Sequence, residues 1–170
     1  PDLSDSMGML SEILKRNVGL TAKGAKLAMV DVRDVANVCV GALDSTRNHG
    51  RFHAWGDLVS MDEVLELVGK ITDRNFKFYS SPLLFLDALG VVGEIFTRTT
   101  RIRLPFAKES MRMFTQNARV GGPGNIDHSL VREEFSFPEY TLENSLLDAL
   151  RWLYESGHLT PTQAGKLANI

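Results

Sequence analysis

The sequence predicts an α/β fold that is helix-rich, with a few short strands. Two observations carry this. Apolar residues recur every three or four positions in several segments, most of them opened by a capping residue, as in amphipathic helices. Between these segments lie short apolar or alternating runs of strand length. The 170 residues are 44% hydrophobic and 24% charged, an ordinary globular composition with enough apolar material for a packed core.

Element by element, residues 4–17 place Met7, Leu10, Ile13 and Leu14 at helical spacing, with Gly19 as the expected stop. Residues 27–32 read as an apolar strand. Asp31 is placed to cap the helix that follows, which carries Val35, Val38, Cys39 and Ala42 on one face. Residues 51–55 read as a second strand ending at Gly56. Ser60 and Glu63 form a capping box, because each side chain can satisfy an exposed backbone donor of the other. The helix behind it buries Val64, Leu65, Val68 and Ile71. Residues 76–79 alternate and read as a third strand. Ser81 as cap and Pro82 at the first helical position open a Leu- and Phe-rich helix through Phe96. Pro105 opens another helix through about Asn117, and Gly121-Gly122-Pro123-Gly124 breaks the chain. Asp127 caps a short helix over 128–134. Thr141 caps the last long helix, with Leu142, Leu146, Leu147, Leu150, Leu153 and Tyr154 on its core face and Gly157 at its end. Thr160-Pro161-Thr162-Gln163 caps a short tail helix.

Composition excludes several function classes. Nineteen basic against 21 acidic residues leave a net charge of -2, whereas a general nucleic-acid binder carries a large positive excess. The single cysteine, Cys39, allows no intrachain disulfide and no cysteine-rich zinc module. It reads as a buried thiol. His49 and His53 flank a turn and read as surface and strand residues, so no metal site is expected. Trp55 and Trp152 read as core or domain-interface residues. Asp87 and Glu94 interrupt the longest apolar run, so no membrane span is expected. No basic-then-apolar leader signals secretion, and the expected location is cytoplasmic. Pro1 opens a loop entering a helix, so a fragment of a longer protein is expected.

Catalytic motifs are missing. Gly19 to Gly24 has G-x-x-x-x-G spacing, but Ala25 stands where a phosphate loop needs lysine. The 121–124 loop follows no strand, and its proline removes a donor that a dinucleotide loop would use. There is no Tyr-x-x-x-Lys and no Gly-x-Ser-x-Gly. No catalytic or cofactor-binding residue is therefore assigned in this chain.

Met29-Val30-Asp31-Val32-Arg33-Asp34-Val35-Ala36 resembles the strand-to-helix signature in the second half of extended short-chain dehydrogenases/reductases. That family includes the NAD(P)-dependent epimerase/dehydratases and the dihydroflavonol-reductase-like and 3β-hydroxysteroid-dehydrogenase-like enzymes. Asp127-His128-Ser129 through Glu134-Phe135-Ser136-Phe137 resembles the family's D-x-S-x-A-x-x-x-L-G-F/W element. Thr141-Leu142-Glu143-Asn144-Ser145-Leu146, with Trp152, resembles the T/S-L-E segment that follows it. The intervening order of strand, capping box, helix and Phe-rich strand is also similar. Ser136 stands where the family has glycine, and Leu130 where lysine is common.

The resemblance covers residues 1–158 and implies the C-terminal, substrate-binding portion of a Rossmann-type fold, without the dinucleotide-binding half. Residues 159–170 are then a short extra tail helix, a local specialisation or a disordered end. It implies NAD or NADP in the full-length parent, none for this chain alone, and an upstream catalytic serine, tyrosine and lysine. The implied parent is an oxidoreductase or epimerase acting on an alcohol, a ketone or a sugar nucleotide. This chain would supply its lid and substrate cavity. The implied partners are a small-molecule substrate and the N-terminal half of the same protein, with no nucleic acid and no membrane; a homodimeric parent is open.

Substrate-binding candidates follow. Phe85 and Leu86 lie on a helix apolar over more than one face, part of which can line a cavity for a lipophilic alcohol or ketone. The alternatives are a helix buried on two sides, favoured for most of these residues, or a surface bared by truncation. Arg101 and Arg103 lie in a basic stretch over 98–119 and alternate with Ile102 and Leu104, which suits a phosphate. A solvated face is the favoured alternative. Arg33 lies at a strand end that the family places near the substrate cavity. It can equally pair with Asp31, Asp34 or a carboxylate of the upstream half. The rival reading for the whole chain is a stand-alone, non-catalytic interaction or regulatory domain derived from such an enzyme.

Overall fold

Capping chemistry sets most of the helix starts in the computed structural model, which describes residues 3, 5–45, 53, 54, 56–100, 115, 116, 118, 119, 129–135, 137 and 140–169. Helix α1 (Asp5–Arg16) turns Leu10, Ile13 and Leu14 inward. It ends at Asn17, which adopts a left-handed φ of 58° and donates its N–H to the Ile13 carbonyl. The expected stop at Gly19 is therefore two residues late. Gly19 lies inside strand β1 (Val18–Ala22), which the sequence does not predict. A turn through Gly24 leads to β2 (Lys26–Met29). Asp31 then caps α2 (Val32–Asp44) by accepting the Arg33 N–H.

The strand predicted over 51–55 lies mostly outside the described residues, and 53 and 54 are not in a strand. The strand that pairs with β2 is β3 (Asp57–Ser60), which begins after Gly56. Gly56 is where the chain crosses close to β2: a Cβ there would sit 1.8 Å from the Met29 carbonyl oxygen. Glycine marks the entry to this strand because no side chain fits.

The Ser60–Glu63 capping box is present at the start of α3 (Met61–Thr72). Strand β4 (Lys77–Ser81) leads into α4 (Leu83–Thr100). Ser81 belongs to the strand, and the Pro82 carbonyl accepts the first helical N–H groups, so the cap falls one residue later than expected. The helix also runs past Phe96. Residues 115, 116, 118 and 119 are helical; the remainder of that predicted helix, and Asp127, lie outside the described residues. Helix α5 (Ser129–Phe135) precedes α6 (Leu142–Glu155), which Thr141 caps as expected. A second capping box, Thr160 with Gln163, opens α7 (Pro161–Ala164), followed by a 3₁₀ turn over Gly165–Asn169.

β1 and β4 pair in parallel, from Val18 opposite Lys77 to Ala22 opposite Ser81. β2 and β3 pair antiparallel, from Lys26 opposite Ser60 to Met29 opposite Asp57. The described chain is thus α/β, dominated by helices around two two-stranded sheets.

The main core joins Leu14 of α1, Leu65 and Val68 of α3, and Leu150 and Leu153 of α6. Leu159, Ala164 and Leu167 of the tail complete it, each at most 5% exposed. Residues 159–169 are therefore packed and not a detached end. A second cluster joins Ala22, Ala25 and Leu86, and a third joins Val38, Val131 and Phe137. Cys39 is exposed, a correction to the buried thiol. The twist of α2 turns Val38 inward and its neighbour outward. Trp152 is 41% exposed, tilted against His158. No described helix is long and apolar enough to cross a membrane.

Candidate functional site

Ligand sites in parallel sheets gather beyond the carboxyl ends of the strands, where loops and helix starts converge. Here that end lies at Ala22 and Ser81, and α4 departs from it. Leu86, in the first turns of α4, is 2% exposed and packs with Ala22, Ala25, Leu83 and Ala118. It is a core residue. Phe85 beside it is 56% exposed and Leu84 is 81% exposed. The helical twist thus separates the two apolar candidates: Leu86 seals the strand end, and Phe85 is presented outward.

The exposed side of α4 continues the apolar character. Leu84, Ala88, Val91, Val92 and Ile95 follow one another at helical spacing and all are exposed. Its inner side holds Leu86, Gly90 and Gly93, all buried. A solvent-facing helix normally puts polar residues outward, so this exposed apolar stripe departs from the usual pattern. At its edge Asp87 accepts from Thr115 Oγ1 at 2.8 Å and forms an ion pair with Arg119. The last basic residue of the 98–119 stretch is thereby neutralised. Arg101 and Arg103 lie outside the described residues.

Arg33 belongs to a different cluster. Its Nε and Nη2 donate to Asp31 at 2.9 and 2.7 Å, its Nη1 meets Asp148 of α6 at 2.8 Å, and its guanidinium stacks 3.9 Å from the Tyr140 ring centre. Ser145 donates its hydroxyl to the same Asp31. The neighbouring Asp34, 2% exposed, accepts the Tyr140 N–H at 3.3 Å. The Arg33 hydrogen bond holds the Asp31 carboxyl well below the usual aspartate range, against the opposing effect of burial. The same bond, aided by Asp148, raises Arg33 further above its ordinary value. This arrangement is a clamp between the start of α2 and α6. Of the partners open to Arg33 the structure shows Asp31, and it adds Asp148, which the sequence does not suggest.

Arg74 carries no signal in the sequence, being one arginine in a polar loop. In the fold its Nη2 donates to the Leu14 carbonyl at 3.0 Å and to Asn17 Oδ1 at 3.3 Å, and its Nη1 donates to the Gln163 carbonyl. It thus satisfies carbonyls at the end of α1 and in α7 that helix geometry leaves without partners. Burial lowers its pKa. It also borders an open cavity of about 530 Å3, shared with Asp62, Glu66, Lys70, Asp73 and Phe76. Mixed charge leaves that cavity without a preferred ligand. Among the described residues no group of His, Cys, Asp or Glu could hold a metal ion. His53 is exposed and not helical, and His49, four positions earlier, lies outside the described residues.

No protein-family model matches the chain, and no curated protein matches it. Among solved structures, the crystal structure of gox2253 is similar, with a TM-score of 0.63 over 94% of this chain at 15% sequence identity. The present chain spans 46% of that chain, less than half its length. The likeness is one of fold alone.

Proposed function

We propose that this chain is the substrate-binding and lid portion of an NAD(P)-dependent oxidoreductase or epimerase of the extended short-chain dehydrogenase/reductase type. The observation that carries the reading is the exposed apolar stripe of α4, which begins at Leu84 with the exposed Phe85 beside it, next to the carboxyl ends of β1 and β4. A lid over a lipophilic substrate needs such a surface next to such a strand end. The order of the sequence motifs supports it, as does the occurrence of this fold within a chain more than twice as long.

A lipophilic alcohol or ketone suits the stripe better than a sugar nucleotide. Arg33 and Arg119 are already engaged by carboxylates. Phe85 and the stripe would bind the substrate's apolar body and exclude water from the reacting carbon. The cofactor, NAD or NADP, supplies hydride transfer when bound. Gly19 lies within a strand and Gly24 in a turn between strands, so these two glycines form no cradle at a helix start. The nucleotide belongs to the upstream half.

In the natural protein, Phe85→Ala should raise KM for a lipophilic ketone about fivefold to thirtyfold, the effect of losing about one to two kcal/mol of apolar contact. The Kd for NADPH should stay unchanged. Equal KM values for variant and parent would overturn the reading.

A further inference from the structure

Asp87 is the only charged residue between Leu83 and Gly93 of α4. Both of its carboxylate oxygens are engaged by one distant segment. Oδ1 accepts from Thr115 Oγ1 at 2.8 Å and Oδ2 from Arg119 Nη2 at 2.5 Å, across 28 and 32 positions of chain. Ala118, between these two donors, packs on the cluster of Ala22, Ala25, Leu83 and Leu86. The backbone there lies over the turn that follows β1: a Cβ at Gly24 would sit 3.9 Å from the Ala118 carbonyl oxygen. The segment bearing Thr115 and Arg119 therefore covers the carboxyl end of β1, at Ala22.

Two features make this cover releasable. Ala118 is its one member in that cluster, and an alanine methyl buries little apolar area, so the charge-assisted bonds to Asp87 are the stronger tie. That tie is also open to water. The Arg119 and Asp87 side chains are 54% and 31% exposed, whereas the Asp31 carboxylate of the Arg33 clamp is 5% exposed. Water and salt weaken an exposed ion pair. We propose that Asp87 is the latch of a cover: it holds the segment bearing Thr115 and Arg119 closed over the carboxyl end of the β1–β4 pair. Its release joins the buried Leu86 to the exposed Leu84 and Phe85 in one apolar surface that admits a lipophilic substrate. Resting on the proposed function, this latch controls access to that same site, and Asp87 is a positioning residue within it. Where only the open form binds, the apparent affinity is reduced by the open fraction, so loosening the latch lowers KM.

Amide exchange of the natural protein and its Arg119→Gln variant tests this. The Ala25 N–H, bonded to the Ala22 carbonyl at 3.0 Å beneath the cover, is the reporter, and Leu65 and Val68 of the main core are the controls. Ala25 should exchange at least about tenfold faster in Arg119→Gln. It should also exchange faster in the parent at about 1 M salt than at about 0.1 M. Leu65 and Val68 should not change in either comparison. KM for a lipophilic ketone should fall about threefold to tenfold in Arg119→Gln. Equal Ala25 rates in the two proteins overturn the proposal, as does faster exchange that extends to Leu65 and Val68, which is a general loss of stability. A parent insensitive to salt overturns it without any variant. An unchanged or raised KM with Ala25 released overturns the control of access. Release of Ala25 in a protein that turns over no ketone sustains the latch and removes the oxidoreductase reading; turnover with Ala25 unmoved does the reverse.

Discussion

Asp31 shows how one side chain can serve a helix and a tertiary contact together. It caps α2, neutralises Arg33 and receives the Ser145 hydroxyl. Replacing it by alanine removes the cap and the charge-assisted bonds, and should cost about 2–3 kcal/mol near neutral pH, measured by urea denaturation. The pH dependence has a definite sign. The folded pKa lies below the ordinary 3.8, so the unfolded chain binds more protons and acid favours unfolding. The contribution is complete above about pH 5 and fades as pH falls through 3.8 toward the folded value. The stability gap between the parent and Asp31→Asn should therefore narrow between about pH 5 and pH 2. Arg74 makes a purely structural contrast: Arg74→Met should cost about 2 kcal/mol by leaving the Leu14 and Gln163 carbonyls without donors, and Arg74→Lys should recover little of it. The cap role of Asp31 was legible because capping is local. Its bond to Ser145, 114 positions away, and the role of Arg74 depend on the assembled fold.

Among the elements, those with local punctuation were legible: Ser60 with Glu63, Thr141, and Thr160 with Gln163 all cap as the sequence predicts. Strand β1 was not. Val-Gly-Leu-Thr-Ala has no clear alternation, and it becomes a strand by pairing with β4, from Val18 to Lys77. The tail was legible as a helix but not as core, because burial of Leu159 and Leu167 depends on a groove formed by distant helices. Deleting 159–170 should cost about 3–6 kcal/mol for those two leucines alone, a large share of a typical domain's stability. Gly165→Ala should loosen the same attachment. Its φ is +61°, and a Cβ would fall 2.1 Å from the Thr72 carbonyl oxygen. Faster amide exchange at Leu159 and Leu167 in Gly165→Ala, with the α4 amides unchanged, would locate the effect in the tail.

For the whole molecule the central feature is apolar surface exposed among the described residues. The sequence shows α4 to be apolar around more than one face, and the structure sorts that into Leu86 inside and Phe85 outside. On α2 the sequence suggests one apolar face through Val38 and Cys39; the structure shows two, with Cys39 on the outer one. Periodicity reveals that a face is apolar, whereas which side of a helix is packed depends on the assembled fold. Among the described residues, two helices thus carry exposed apolar stripes beside two two-stranded sheets. The most direct test is titration of NADPH, followed by nicotinamide fluorescence, against the natural protein and the 170-residue chain in parallel. Saturable binding by the natural protein and none by the 170-residue chain is the predicted result; tight, saturable binding by the 170-residue chain alone would contradict the account.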